Sequence, residues 1–487
     1  MAGRSVRGGA GLDRSTLFID DQWLAAPRTV DVLEAATEKT LGQVALAGPA
    51  QIDLAVAAAR RALRGPWAVL TGPERSDLLK RFAAELRARA ADTAVLVSQE
   101  NGMPIRLSRA ANGYSPAMMV DYYADLIRDE APDEIRAGVP RGRTIVQHRP
   151  VGVVAAITPW NYPQPLAAMK IAPALAAGCT VVLKPAPETT LDALVFAEAA
   201  LAAGLPPGVL NIVPGDRDAG SYLVAHPGID KVAFTGSTAA GRAIGEACGR
   251  LLRPVTLELG GKSAAIVAAD ADLDLFAARL PEVSLANNGQ TCHACTRILA
   301  PRARYDEVVD AVTETVRGLT IGDPLERSTA IGPLVSAAQR ERVLGYVEAG
   351  RASGARLTVG GGRPAEQPVG WFVEPTVFAD VDNTSVIARE EIFGPVLCVI
   401  PYRDEDEAVA LANDSDFGLA GSVWTTDTER GLALADRIET GTIGLNHYAL
   451  DLGAPFGGTK ASGLGWELGP EGLAPYRRHR SVYLAPE

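Results

Sequence analysis

Val151-Gly-Val-Val-Ala-Ala-Ile157-Thr-Pro-Trp160-Asn-Tyr-Pro163-Gln-Pro-Leu166-Ala-Ala-Met-Lys170-Ile-Ala-Pro-Ala-Leu-Ala-Ala177-Gly-Cys-Thr180-Val-Val-Leu-Lys184 is the stretch on which the fold is decided. Residues 151–157 form a continuous apolar run of strand length, and residues 159–163, with two prolines, read as a turn. A helix is predicted over 166–177 and a second apolar strand over 180–183. Working outward, the alternation continues with a helix from about 191 to 203 that stops at Gly204 and a strand over 209–213. A helix around 221–225, a strand at 231–234, a helix from 237 to about 249 and a strand at 255–259 follow. Strands apolar on both faces that alternate with helices belong to a parallel sheet covered on both sides. The fold class is therefore α/β, with a doubly wound, Rossmann-type domain at its centre.

Ligands of such sheets bind outside the carboxyl ends of the strands. Three turns there carry unusual chemistry: Thr158-Pro-Trp-Asn161, Lys184-Pro-Ala-Pro-Glu188 and Phe234-Thr-Gly236-Ser237-Thr-Ala-Ala-Gly241. The third opens a helix, where free backbone N–H groups and the positive dipole end suit a pyrophosphate. Taken alone it also reads as an ordinary N-cap. The G-x-G-x-x-G fingerprint is absent, so a phosphate site here is a variant of it.

From about residue 270 the pattern starts afresh, with strands at 297–300 and 421–424, a helix at 304–319, and turn clusters at 360–364 and 380–384. This is a second α/β domain. A polar stretch over 128–143 runs into the alternating Thr144-Ile-Val-Gln-His148 and reads as a β-ribbon excursion.

Composition excludes several classes of function. At 487 residues with 47% hydrophobic side chains the chain buries large cores, and 47 basic against 58 acidic residues leave a net charge of −11. Nucleic acid needs a concentrated basic face, and the one basic cluster, Arg477-Arg-His-Arg480, is short. Residues 1–15 are rich in Gly and Arg without the apolar core of a signal peptide, and are expected to be a disordered arm. No apolar stretch reaches the roughly 20 residues that span a bilayer. Five scattered cysteines fit a reducing cytosol better than a disulfide scaffold. A cytoplasmic protein with no nucleic-acid or membrane partner is expected.

The chemistry centres on two runs, Asn288-Gly-Gln-Thr-Cys292-His-Ala-Cys295-Thr-Arg297 and Leu257-Glu258-Leu-Gly-Gly-Lys262. A thiol and a carboxylate framed by small residues suggest a nucleophile and a base. Each has a plainer reading. A buried Cys is often a small hydrophobe, Glu before Gly-Gly caps a helix or pairs with a lysine, and Asn161 after Trp160 makes a turn. For Cys292-x-x-Cys295, a structural zinc lacks its four ligands, so no metal is expected. A protective disulfide competes with the preferred reading, in which Cys295 fills a small-residue position.

The runs Pro159-Trp-Asn161, Lys184-Pro, Phe234-Thr-Gly-Ser237, Leu257-Glu-Leu-Gly-Gly-Lys262, Gly289-Gln-x-Cys292, Glu391-Ile-Phe-Gly-Pro395 and Pro455-Phe-Gly-Gly-x-Lys460-x-Ser-Gly463 occur in this order. With them the chain resembles the aldehyde dehydrogenase superfamily, from about Phe18 to Leu484. The resemblance implies a cofactor-binding domain over 16–127 and 149–258 and a catalytic domain over 259–458. It also implies a β-ribbon oligomerisation element over 128–148 and 470–487, hence a homodimer or homotetramer. It implies oxidation of an aldehyde to the free acid through a thiohemiacetal and thioester on Cys292. Glu258 would be the general base, Asn161 an oxyanion-hole donor, and Lys170 a tuner of nearby charge.

The implied cofactor is NAD. Ile157, Pro159 and Trp160 would lie at the nicotinamide, Lys184 at the adenosine ribose, and Gly236, Ser237 and Gly241 at the pyrophosphate. Glu391 and Phe393 would hold the nicotinamide ribose, with Leu259 offering its backbone and Gln339 a further contact. Two departures stand out. Pro187 occupies a position where NAD-preferring members carry Glu, which leaves NADP open, and Trp466 replaces a common arginine. The CoA-acylating branch characteristically lacks the base at Glu258, and a catalytically silent scaffold would not need Cys292, Glu258 and Asn161 together. Tyr162, Met118, Met119, Tyr122, His293 and Asn446-His-Tyr448 are candidates for the substrate channel, pointing to medium-sized uncharged aldehydes.

Overall fold

In the computed structural model, which describes residues 12–130, 133–139 and 141–485, five strands run parallel: Val153–Ile157, Thr180–Lys184, Leu210–Ile212, Lys231–Thr235 and Val255–Glu258. Their spatial order is fifth, fourth, first, second, third. The winding reverses beside the first strand, which is where a doubly wound sheet opens a crevice. All residues of the first, second and fourth strands are buried, as runs apolar on both faces require.

The sheet is parallel only in its middle. A hairpin, Thr16–Ile19 and Gln22–Ala25, adds antiparallel to the third strand, and Gly463–Leu464 adds antiparallel to the fifth. A two-residue strand leaves no periodic trace in a sequence. The same return of the chain brings Glu467 next to the first sheet.

The helix Pro163–Ala176 is buried along its whole length, Lys170 included. Pro163 and Pro165 lie in its first turn, where a missing N–H costs nothing. The helix expected from 191 begins at Leu194 and ends, as expected, at Gly204 in the left-handed conformation (φ 74). Its start is displaced because the N–H groups of Leu191 and Asp192 are taken by the Glu100 carboxylate, at 2.8 and 3.2 Å. Glu100 comes from the 30-residue helix Gly72–Asn101, which opens with a Thr71/Glu74 capping box and closes at Gly102.

The second sheet runs Arg356–Val359, Thr376–Ala379, Val396–Tyr402, Arg297–Pro301, Ala264–Val267, Gly421–Trp424 and Gly444–Leu445. All but the first are parallel. The ribbon expected near 128–148 is present as Asp133–Ala137 and Arg143–Pro150, the latter also pairing with Arg477–Leu484. Arg128 itself ends the preceding helix, Ser115–Arg128.

The expectation of a disordered arm over 1–15 is corrected in part. Residues 1–11 lie outside the described residues, but Leu12–Arg14 is a strand parallel to Thr40–Leu46. The Arg14 guanidinium donates to Leu191 O at 2.9 Å and pairs with Glu198. A charged side chain with two partners orders a segment that composition alone reads as loose. Among the described residues no helix is long and apolar enough to cross a membrane.

Candidate active site

At the carboxyl ends of the first sheet lies a cleft of about 700 Å³. Ile157, Pro159, Lys184, Gly236 and Ser237 line it, together with the helices Arg217–Ala225 and Thr238–Arg250. Ser237 caps the second of these helices, its Oγ accepting Ala240 N–H at 3.3 Å, so the positive helix end faces the cleft. Lys184 Nζ donates to Pro185 O and Gly215 O at 2.9 and 2.6 Å. Burial pushes its ammonium down to about 8, against the pull of Glu188 and Asp216. Gly241 is not among the lining residues. It lies against the Leu259 side chain, where any Cβ would collide, so the glycine lets helix and strand close together.

Cys292 sits at partial exposure upstream of the strand Arg297–Pro301. Burial pushes its thiol up to about 12, and the Glu391 and Glu258 carboxylates add to the shift. The two glycines before Lys262 have separate steric reasons. A Cβ on Gly260 would meet Glu391 Oε2 at 2.5 Å, and one on Gly261 would strike the Cys292 carbonyl. The Glu258 run therefore packs its bare backbone onto the Cys292 run.

Asn161 is 3% exposed. Its Nδ2 donates to Gln290 O at 3.1 Å, which leaves one amide hydrogen over. Its backbone carbonyl accepts from Asn101 Nδ2 at 3.2 Å and Asn287 Nδ2 at 2.8 Å.

Glu258 is 2% exposed, and neither carboxylate oxygen has a hydrogen-bond partner. Burial raises it well above the usual carboxylate range, Glu467 raises it further, and Lys170 opposes them. Lys170 Nζ donates to Thr235 Oγ1 at 2.6 Å and to Glu467 Oε1 at 2.8 Å. A charge pair this deep is expensive to desolvate. Both of its members act on Glu258, Glu467 raising its pKa and Lys170 lowering it, after the larger effect of burial.

Glu391 Oε1 accepts Gly261 N–H at 3.0 Å, and burial lifts its carboxyl to about 7. Phe393 is held at φ 62, a strained conformation for an aromatic residue. Gln339 Nε2 donates to Phe393 O at 2.8 Å, and the ring stands edge-on to Trp160 at 5.4 Å. Gln339 thus fixes the Phe393 turn, and Leu259 N–H is taken by Ser462 O at 2.8 Å.

His293 stacks on Tyr448 with ring centroids 5.0 Å apart and meets Phe456 edge-on at 6.3 Å. Burial pushes its imidazole down to about 4, so it is neutral at physiological pH. Tyr448 and Phe456 also wall a concavity of about 290 Å³ with Leu450, Ala454 and Pro455, and its lining contains no Lys or Arg. Two of the suggested channel residues lie elsewhere. Met119 is buried in the core, and the Asn446 side chain exchanges hydrogen bonds with the Thr425 backbone.

Cys295 is fully buried, its Sγ accepting from Ser422 Oγ at 3.5 Å. All five cysteines are free. Cys295→Ser is expected to keep kcat/KM within a few-fold of the parent; near-total loss in a variant that melts normally overturns that expectation.

The supports of the site escaped the sequence reading. Asn287, Asn288 and Gly289 form a consecutive left-handed run (φ 52, 60 and 76) just before Cys292, a strain of the kind stored at functional sites. Asn288 holds it by donating to Gly102 O and Pro333 O and accepting Gly332 N–H. The Asn-Asn-Gly triplet was the available signal, since Asn and Gly are the residues that tolerate this region.

The aldehyde dehydrogenase family profile matches residues 23–482. Geranial dehydrogenase of Castellaniella defragrans is 55% identical over 476 residues, covering 97% of this chain and 99% of that protein. The aldehyde dehydrogenase of Mycobacterium tuberculosis complexed with NAD+ superposes with a TM-score of 0.96 at 46% identity, over 98% of this chain and 99% of that one. A Pseudomonas syringae aldehyde dehydrogenase C variant complexed with NAD+ and octanal gives 0.92 at 39% identity, over 96% of each chain. This chain belongs to the aldehyde dehydrogenase family and is an NAD(P)-dependent aldehyde dehydrogenase.

Proposed function

We propose that the enzyme oxidises uncharged, mainly apolar aldehydes to free acids, with Cys292 as nucleophile, Glu258 as general base and Asn161 in the oxyanion hole. The observation that carries this reading is Glu258 itself: a buried carboxylate with both oxygens unpartnered, close enough to raise the Cys292 thiol. A buried acceptor left free is costly unless a ligand or water uses it.

The cleft fits a nicotinamide dinucleotide by size and by its capped helix end. Ile157, Pro159, Lys184, Gly236 and Ser237 would hold it there, with Trp160, Glu391 and Phe393 towards Cys292. When bound, it supplies the acceptor for the aldehyde hydride. Pro187 in the lining adds no carboxylate to repel a 2′-phosphate, which leaves NADP open beside NAD, although Asp216 lines the same cleft.

The partly exposed Cys292 thiol gives its proton to solvent as its sulfur adds to the carbonyl carbon, and the oxygen that gains charge meets the spare Nδ2 hydrogen of Asn161 and the Cys292 N–H. Each such donor contributes on the order of 10²–10³ in rate. After the thioester forms on Cys292, Glu258 takes a proton from water as its oxygen attacks the acyl carbon. Acid is released and the thiol restored. Lys170 and Glu467 set the charge that Glu258 feels.

The neutral His293, Tyr448 and Phe456 support apolar substrates, and Asp451 at the rim disfavours anionic ones. Two of the relatives, a geranial dehydrogenase and an enzyme complexed with octanal, carry names of that class. The exposed apolar residues Ile135 and Tyr483 on the ribbon sheet, with Val139 in its turn, support self-association through it. The test is steady-state oxidation of apolar, cationic and anionic aldehydes with NAD+ and NADP+ in parallel. Acid formed without CoA, fastest with apolar aldehydes, is expected; strict CoA dependence or preference for an anionic semialdehyde overturns the reading.

A further inference from the structure

Away from the cofactor cleft, Arg106, Arg109 and Arg327 line a single concavity of about 170 Å³ together with Ile105. All three are exposed, and none makes an ion pair or side-chain hydrogen bond among the described residues. Other surface arginines do find partners, as Arg304 does in Glu307 and Arg128 in Asp77. In a chain of net charge −11, three cations gathered with no ion pair of their own among the described residues repel one another, and a bound anion relieves that repulsion. Asp323, in the loop that carries Arg327, turns a carboxylate oxygen to Leu325 N–H.

The frame is built from fixed pieces. Arg106 lies in the short helix Ile105–Ser108, which continues as a π-helix, Arg109–Tyr114, a form that recurs at functional sites. Ile105 N–H donates to Pro324 O at 2.7 Å, fastening this segment to the loop that carries Arg327. Gly113 packs where a Cβ would come within 2.8 Å of Ala90 O.

We propose that Arg106, Arg109 and Arg327 form a binding site for a small dianion of the phosphate-monoester class, separate from the cofactor cleft. Guanidinium groups take phosphate oxygens in pairs of parallel hydrogen bonds. The volume admits a phosphate with a short organic stem and is too small for a nucleotide.

Both segments that frame this site lead to the reaction centre. On one side Asn101, just before Gly102, donates to Trp160 O at 2.7 Å and to Asn161 O at 3.2 Å. On the other, Gly332 and Pro333 are the partners of Asn288. A dianion that draws the two segments together acts on the backbone that carries Asn161 and Cys292, and coupling of this kind is reciprocal between the sites.

The test is calorimetric titration of the NAD+-saturated enzyme with glycerol phosphate at constant ionic strength, with succinate and sodium chloride as parallel arms. Saturable one-to-one binding is expected, weakened at least tenfold in the double variant Arg106→Gln/Arg109→Gln and separately in Arg327→Gln. Amide exchange should slow over residues 105–114 and 321–333. No saturable binding, equal binding by the variants, or a response matched by chloride overturns the site. Tighter binding of succinate than of glycerol phosphate overturns the ligand class.

Discussion

Cys292→Ala is expected to lower kcat for aldehyde oxidation by on the order of 10⁴ or more, the scale seen when a covalent nucleophile is removed, while melting temperature and cofactor affinity hold. The separation of these effects follows from where the thiol sits. Cys292 packs only at the edge of the core formed around the helix Pro163–Ala176, so losing one sulfur leaves a small void. The contacts that shape the loop run instead through its neighbours: Gln290 to Asn161 and Val335, and Thr291 to Tyr162 at 2.9 Å. The Cys292 carbonyl, against which Gly261 is packed, is kept in the variant. The check is turnover measured beside thermal melting and a cofactor titration. More than about one hundredth of the parent activity would mean that the aldehyde gives up its hydride without a sulfur adduct, since the size of the loss is the argument for covalency.

The path from sequence to site was uneven, for physical reasons. Runs such as Val153–Ile157 and Thr180–Lys184 are legible because a strand covered on both faces must be apolar throughout. Ser237 is legible because a helix start needs a cap. Glu258 and Cys292 stand out as the chemical groups of two Gly-framed runs. Tertiary facts have no such local trace. That Lys170 meets Glu467 depends on residues 297 positions apart, and the strand Gly463–Leu464 that brings them together is two residues long. The packing of Gly241 is illegible for a related reason. A glycine after a phosphate-type turn suits ligand approach and close helix packing equally, and the contact with Leu259 appears only once the chain is folded.

The second large effect concerns Glu258, and it separates the two halves of the reaction. Glu258→Gln is expected to keep a first burst of NADH, because the added thiol and the Asn161 amide are untouched. Release of acid should slow by about 10²–10⁴, the usual contribution of a general base. The pH dependence of that release follows from the charges around the carboxylate. As the proposed base, Glu258 must be ionised to accept a proton from water, and burial first, then the charge of Glu467, raise its pKa. The rate of acid release therefore falls as pH drops through a range above that of an ordinary carboxylate. Glu467→Gln removes the second cause and leaves Lys170, whose charge favours the ionised form, so the acid limb moves to lower pH. It does not return to the solvent range, because burial is the larger cause and is unchanged. Rapid-quench measurement of acid release against pH in the parent and in Glu467→Gln, with melting curves as the folding control, reads the shift directly. An acid limb in Glu467→Gln that stays in place or moves upward would mean that the field at Glu258 is set by something other than the Lys170–Glu467 pair.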